Sequence, residues 1–285
     1  MAVTGHEQDQ ISKANASGRP PVVFIHGLWL LPGSWDPWRE RFESAGYATV
    51  APRWPDDPDT VADAVAHPDA FAGKSIAQIA DHLADVIGKL TGRPAVVGHS
   101  FGGLMTEIMA GRGLSAASVA ISPAPFRGVL PVPISALRAA WPALHNPLNY
   151  RRAVPLTYGQ FRYAFANAVT EEEAKELYAK FSVPAPGKPI FQAAFANLNP
   201  WTQDKVDTKH PDRGPLLVIS GDRDNTVPWS IANASYGRQR RNAGVTEIVK
   251  ISGRGHALTI DSGSGEVVQT ALEFIGRFVK AAPAA

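Results

Sequence analysis

Ser100 lies in Gly98-His99-Ser100-Phe101-Gly102, a Gly-x-Ser-x-Gly pentapeptide. A short apolar run, Ala95-Val96-Val97, precedes it, and a helix-like segment from Gly103 to Gly111 follows at once. Strand, tight turn and helix in this order make a nucleophile elbow. The turn forces the serine into a strained backbone conformation, so the residues two before and two after it must be small, and Gly98 and Gly102 meet that need. The geometry lifts the Ser100 hydroxyl above the sheet edge. It also aims the Phe101 N–H at the position a reacting oxygen occupies. Without partners the same pentapeptide is only a glycine-rich turn between a strand and a helix.

A serine hydroxyl is a poor nucleophile near neutral pH and needs a base, and the base needs a group that orients it. After an elbow of this kind the chain order to test is Ser, then Asp or Glu, then His. His256 stands in Ser252-Gly253-Arg254-Gly255-His256-Ala257, just past the last strand-like run. Its flanking glycines let that loop bend back toward the elbow. The acid belongs after the preceding strand, where Gly221-Asp222-Arg223-Asp224-Asn225-Thr226-Val227-Pro228 stands. Asp222 and Asp224 can each face the site, and aspartate also favours turns for its own reasons.

These loops must be held by a sheet. Pro21 to Ile25 and Pro215 to Ser220 are continuous apolar runs, as in strands buried on both faces. Tyr47 to Pro52, the elbow strand, Ala117 to Ser122 and Thr246 to Ile251 bring the expected count to six. Helices are expected from an Ser34 N-cap to about Ser44, with Gly46 as the stop, and over Ser75 to Leu90, Trp229 to Asn242 and Val267 to Val279. The Asp- and Pro-rich residues 53–73 read as a loop. Six strands alternating with helices imply an α/β fold, a mostly parallel sheet covered by helices on both faces. Between Pro123 and Asp204 the rhythm breaks into helical, proline-interrupted chain with no strand signal. That stretch is too long for a loop and is expected to form a helical cap. The expected organisation is therefore a flexible tail over residues 1–18, a core in two parts over 19–123 and 206–285, and a cap over 124–205. Pro123-Ala124-Pro125 and Asn199-Pro200 are its expected hinges.

Composition narrows the chemistry. The 285 residues contain no cysteine, which excludes a thiol nucleophile, a disulfide framework or a thiolate metal site. The formal net charge of +2 is small and its basic residues are scattered, so nucleic acid is not an expected partner. No apolar run has the length of a membrane span. The polar N-terminus lacks a signal-peptide core, so a cytoplasmic location is the expectation. No metal-ligand spacing and no phosphate loop occurs, so no cofactor is expected.

With these motifs the chain resembles the α/β-hydrolase superfamily, of the esterase, lipase and non-haem haloperoxidase-like kind, over about residues 20–123 and 214–280. In that family the acid commonly lies in a Gly-x-x-Asp-x-x-Val-Pro pattern, matched here by Gly221, Asp224, Val227 and Pro228. The resemblance thus implies a Ser100, His256 and Asp224 triad, with Asp222 a turn residue or a support. It also implies that His26-Gly27 is the family's turn after the first core strand. Leu28 then supplies the second oxyanion N–H beside that of Phe101, and His26 is structural. His99 is expected to point into the protein. A family member usually begins with an antiparallel hairpin; only about 18 largely polar residues precede that strand here, so the sheet is expected to start late. A serine nucleophile argues against the haloalkane dehalogenase and epoxide hydrolase chemistries, which use an aspartate. The implied activity is hydrolysis of carboxylic esters with small to medium hydrophobic groups. Acyl transfer, lactone or C–C bond hydrolysis and perhydrolysis use the same triad, and a receptor that binds without turnover uses the same fold. Twelve of the chain's 25 aromatic residues fall between Phe126 and Trp201. Trp29, Phe126, Trp141, Phe161 and Phe165 are the expected walls of an apolar pocket over Ser100.

Overall fold

The structure is a computed structural model that describes residues 3–282. Its centre is a six-stranded sheet of β1 (Pro21–Ile25), β2 (Ala48–Val50), β3 (Ala95–His99), β4 (Ala117–Ile121), β7 (Leu216–Gly221) and β8 (Thr246–Ile251). The spatial order is β2-β1-β3-β4-β7-β8, and every neighbouring pair is parallel. Alternate residues of the strands pack on opposite faces of the sheet. Val23, Ile25 and Val96 pack into one layer, and Val22, Phe24 and Val97 into the other. Helices α4 (Ile76–Ile87), α5 (Phe101–Gly111) and α10 (Trp229–Gln239) cover the first face; α2 (Asp36–Ser44) and α11 (Ser264–Phe278) cover the second. Helix α4 shows why such segments fold locally. Ser75 accepts from the Gln78 N–H, Gln78 reaches back to the Ser75 N–H, and Ile76, Ile79, Leu83 and Val86 line its inward stripe.

Three local expectations are corrected. Residues 1–18 do not form a flexible tail over their described part: α1 spans Gly5–Ala16 and is docked. Thr4 and Glu7 make a capping box, and buried Glu7 also accepts from Arg53 N–H and meets His82 Nε2 at 2.9 Å. Gln10 accepts from Ala51 N–H just past β2. Residues 53–73 are not all loop, because α3 (Val61–Ala66) and a 3-10 turn (Pro68–Phe71) fill them. Ser34 is not the N-cap of α2; its hydroxyl donates to Leu31 O within a 3-10 turn, and Pro37 opens the helix instead.

The segment between β4 and β7 carries α6 (Ile134–Leu144), α7 (Tyr158–Ala164), α8 (Glu171–Phe181) and α9 (Gly187–Ala194). It also holds a short antiparallel pair, β5 (Ala153–Val154) with β6 (Ala185–Pro186), where no strand was expected. Among the described residues no helix is long and apolar enough to cross a membrane.

Helix α5 carries a buried charge with a measurable consequence. Glu107 Oε1 accepts from Ser235 Oγ at 2.5 Å and from Gln239 Nε2 at 3.2 Å. Its Oε2 has no partner among the described residues, nor has either oxygen of buried Asp204. Burial pushes the Glu107 carboxyl up from 4.5 to about 7, and the two hydrogen bonds only moderate it. The folded value lies above the unfolded one. The group's contribution to stability is therefore whole below about pH 4.5 and is lost as the pH rises through about 7. A gap of that size is worth about 3 kcal/mol. Glu107→Gln keeps the acceptor at Oε1 and removes the titration. It is expected to melt at a higher temperature than the wild type at pH 8 and at nearly the same temperature at pH 4.5. A variant less stable than the wild type at pH 8 overturns this account.

Candidate active site

The loops that leave the carboxyl ends of β1, β3, β7 and β8 converge at one place, as parallel strands in a twisted sheet direct them to do. Ser100 follows β3 directly and has φ 58° and ψ −120°, outside the regions an L-residue favours. The surrounding backbone holds it there. Ser100 N–H donates to Ile121 O at 2.9 Å, and its carbonyl accepts from Leu104 and Ala124. The two elbow glycines are needed sterically. A Cβ on Gly98 would collide with the Gly102 carbonyl, and one on Gly102 with the Ile25 carbonyl. Gly27 is equally constrained, since its Cβ would lie 2.8 Å from that of Ser100.

Ser100, His256 and Asp224, distant in sequence, form a continuous chain of hydrogen bonds. Ser100 Oγ lies 2.9 Å from His256 Nε2, and His256 Nδ1 lies 2.8 Å from Asp224 Oδ2. All three are buried. The other Asp224 oxygen accepts from the N–H groups of Thr226 and Val227, each at 2.8 Å. Burial works against ionisation of Asp224, but the adjacent His256 and the Val227 N–H outweigh it and hold the carboxyl below its usual range. An ionised carboxylate only accepts, so Nδ1 carries the imidazole proton and Nε2 is free to take one from Ser100.

Asp222, the alternative acid, is exposed and does a different task. It accepts from Gly253 N–H at 2.7 Å and from Ser252 Oγ at 3.2 Å, which ties down the loop that carries His256. The end of α7 braces the same loops from above. Ala257 N–H donates to Phe165 O, Thr226 Oγ1 to Ala164 O, Asn225 Nδ2 to Tyr163 O and Asn167 Nδ2 to Arg223 O. His99 is buried with its ring 4.6 Å from that of His256. Burial, with His256 beside it, holds its pKa well below the ordinary histidine value.

Leu28 and Phe101 both line the Ser100 cavity, and the N–H of neither has a hydrogen-bond acceptor among the described residues. Trp29 holds the left-handed φ of 63° that turns this loop. Its indole N–H donates to Val154 O in β5, and its carbonyl accepts from Val183 N–H. Beneath the loop lies a buried trio that the sequence did not reveal. Lys74 Nζ bonds Asp57 Oδ1, and Asp57 Oδ2 lies 3.9 Å from His26 Nε2. Burial drives the His26 pKa down to about 4 and that of Asp57 up to about 6. His26 meanwhile stacks on Trp54 and contacts the Gly27 carbonyl through Nδ1.

Over Ser100 opens a cavity of about 160 Å³. Of the five expected wall residues, Trp29 and Phe126 line it and three do not. Trp141 is 63% exposed, because it sits on the outward face of α6. Phe161 and Phe165 are buried against each other with centroids 5.1 Å apart, and Phe165 packs edge-on to His256 and Trp29. Those two rings build the frame of the site rather than its wall. Small and branched residues of α6 and α9 line the cavity instead: Ala136, Ala139, Ala140, Leu144, Ile190 and Ala193. Among the described residues no lining side chain is charged, and Ser100, Asn197 and Thr226 bring the polar groups apart from the Trp29 indole.

The fold and this constellation define a class, and sequence comparison agrees. The chain belongs to the α/β-hydrolase family, whose model matches residues 22–270. Solved structures with the same fold include a monoacylglycerol lipase of Paleococcus ferrophilus, 19% identical with a TM-score of 0.63 over 92% of this chain and 96% of that one. A thermophilic esterase of Thermogutta terrifontis is 18% identical, TM-score 0.64, over 92% and 91% of the two chains. An extracellular α/β-hydrolase of a Paenibacillus species is 16% identical, TM-score 0.65, over 92% and 99%. No curated protein sequence matches the chain.

Proposed function

We propose that this α/β-hydrolase is a serine esterase, cleaving carboxylic esters of small to medium hydrophobic groups through an acyl-Ser100 intermediate. The observation that carries the reading is the unbroken Ser100–His256–Asp224 chain at the floor of a cavity without a charged wall. The lipase and esterase among the fold's relatives are in keeping with it.

Ser100 Oγ attacks the ester carbonyl while His256 Nε2 takes its proton. Asp224 keeps the imidazole in the tautomer that can do so and stabilises the cation it becomes. The N–H groups of Leu28 and Phe101 hold the developing oxyanion. His256 passes the proton to the departing alkoxide, which leaves as the alcohol. Water then attacks the acyl-enzyme, giving its proton to the same nitrogen, and the acid is released as Ser100 recovers the proton. Residues 124–205 act as the cap, with α6 and α9 forming the binding wall. A neutral, apolar acyl chain fits that wall; a charged one would be desolvated without a partner.

The test is hydrolysis of p-nitrophenyl esters of rising acyl length. Each methylene transferred into the cavity is expected to raise kcat/KM by about fourfold until the cavity is filled. The optimum is expected at about four to eight carbons, and longer chains should fall away. A flat or falling series from acetate onward overturns the apolar-chain reading, and no turnover of any ester by folded protein overturns the esterase.

A further inference from the structure

The outer surface of the cap departs from what water favours. Among the described residues, ten of the twelve large exposed hydrophobic side chains lie between Leu130 and Trp201. Helix α6 is the centre of this patch. Its inward face lines the cavity through Ala136, Ala140 and Leu144, yet its outward positions are Ile134 at 84% exposure, Leu137 at 46% and Trp141 at 63%. The i, i+3, i+7 spacing makes these one stripe. A helix apolar on both faces with only one face covered lacks a partner for the other. Leu130 and Val132 lead into the stripe, 72% and 64% exposed. Leu198 joins it, because Asn197 hydrogen-bonds the backbone of Gly128 and Val129.

Charge identifies the partner. Residues 124–170 contain five arginines and no aspartate or glutamate. Of these, Arg127, Arg138, Arg151 and Arg152 are exposed and meet no carboxylate among the described residues. Arg138 lies within the α6 stripe, its guanidinium 4.0 Å from the Tyr163 ring. An apolar stripe with a tryptophan and flanking basic groups is the composition of a helix that lies in a membrane interface. A second copy of the chain fits poorly, since a two-fold contact sets each patch against itself and brings the unpaired arginines together.

We propose that the α6 face of the cap docks on an anionic lipid bilayer, with Ile134, Leu137 and Trp141 in the headgroup boundary and the arginines on lipid phosphates. Val132 and Leu137 belong both to the exposed patch and to the cavity lining, so the mouth opens where the bilayer would lie. The docking stands on the surface alone; that it delivers ester lipids to Ser100 rests on the esterase reading above.

The experiment is co-sedimentation with vesicles of phosphatidylcholine alone or with about a third phosphatidylglycerol, at about 0.05 M and about 1 M salt. The wild type is expected to bind the anionic vesicles at low salt and to leave them at high salt. Each arginine neutralised near the surface should lower partitioning about fivefold, so the Arg138→Gln, Arg151→Gln, Arg152→Gln triple variant should lose about a hundredfold. Ile134→Asp with Trp141→Ser should lose at least about tenfold. Leu130→Asp, in the loop before α6, repeats the test without touching the helix. Neither Ile134, Trp141 nor Leu130 lines the cavity, so turnover of soluble p-nitrophenyl butyrate should stay at the wild-type level in both of these variants. Failure of the wild type to bind anionic vesicles, or binding that these variants leave unchanged, overturns the proposal. So does a solution dimer that Leu130→Asp splits into monomers. Vesicle binding without ester turnover would refute the esterase and leave the docking standing; turnover without vesicle binding would do the reverse.

Discussion

Ser100→Ala is expected to lower kcat for ester hydrolysis by about a millionfold, while the protein stays folded. The size of the loss follows from what the hydroxyl does. On the proposed mechanism, without Oγ there is no covalent step, and only the amides of Leu28 and Phe101 and the cavity would still act on a bound ester. Those leave a residual acceleration over water of about 10³–10⁴. Folding should survive, because alanine keeps the Cβ that the φ 58° conformation already accommodates, and the backbone bonds to Ile121, Leu104 and Ala124 involve no side chain. The deleted atom makes one hydrogen bond, to His256. His256→Ala should cost nearly as much, and the double variant little more than either, because the two act in one step and their losses do not add. Initial rates on a p-nitrophenyl ester, with melting temperatures taken alongside, check this. Substantial turnover in folded Ser100→Ala protein would place the nucleophile elsewhere.

The parts legible in the sequence are those where backbone chemistry leaves few choices. A parallel strand buried on both faces reads as an apolar run, which marks β1 and β7 most plainly, and all six expected strands, the half-buried edge strand β8 included, lie within a residue or two of the observed ends. Ser100 is marked by two glycines whose Cβ atoms have no room, and His256 by its place after β8; the place after β7 offers Asp222 and Asp224 alike, and only the family's Gly-x-x-Asp-x-x-Val-Pro pattern points to Asp224. Helix α1 escaped for the opposite reason. Its docking side is half polar: beside buried Ile11 and Ala14, Glu7 and Gln10 reach Arg53, His82 and Ala51, so the apolar stripe is too short to announce it. Its Thr4–Glu7 capping box was the available signal. The cavity wall was misread because bulk was taken as the sign of a pocket. Phe161 and Phe165 satisfy one another by stacking, whereas alanines on α6 leave the space in which a substrate fits. The Lys74–Asp57–His26 trio has no signature in sequence at all, since its members come from three separate segments.

Asp224→Asn is expected to lower kcat by about 10⁴ with little change in the position of any atom. The direction of the effect is set by the other oxygen. Oδ1 accepts from Thr226 and Val227 N–H at 2.8 Å, and only an oxygen can fill that place. The asparagine amide must therefore turn its NH₂ toward His256. That NH₂ donates to Nδ1, which then has to be the unprotonated nitrogen, so Nε2 carries the proton and faces Ser100 unable to accept one. The imidazolium that forms as Ser100 attacks would also lose its anionic neighbour, the group whose own ionisation His256 favours against the effect of burial. Asp222→Asn is the matched control two residues away. It weakens only the contacts to Ser252 and Gly253 and should cost less than about tenfold. Measured side by side on one ester, a large loss in Asp224→Asn and a small one in Asp222→Asn assigns the acid to Asp224; equal losses, or the reverse order, would show that the loop rather than the carboxylate at Oδ2 governs the base.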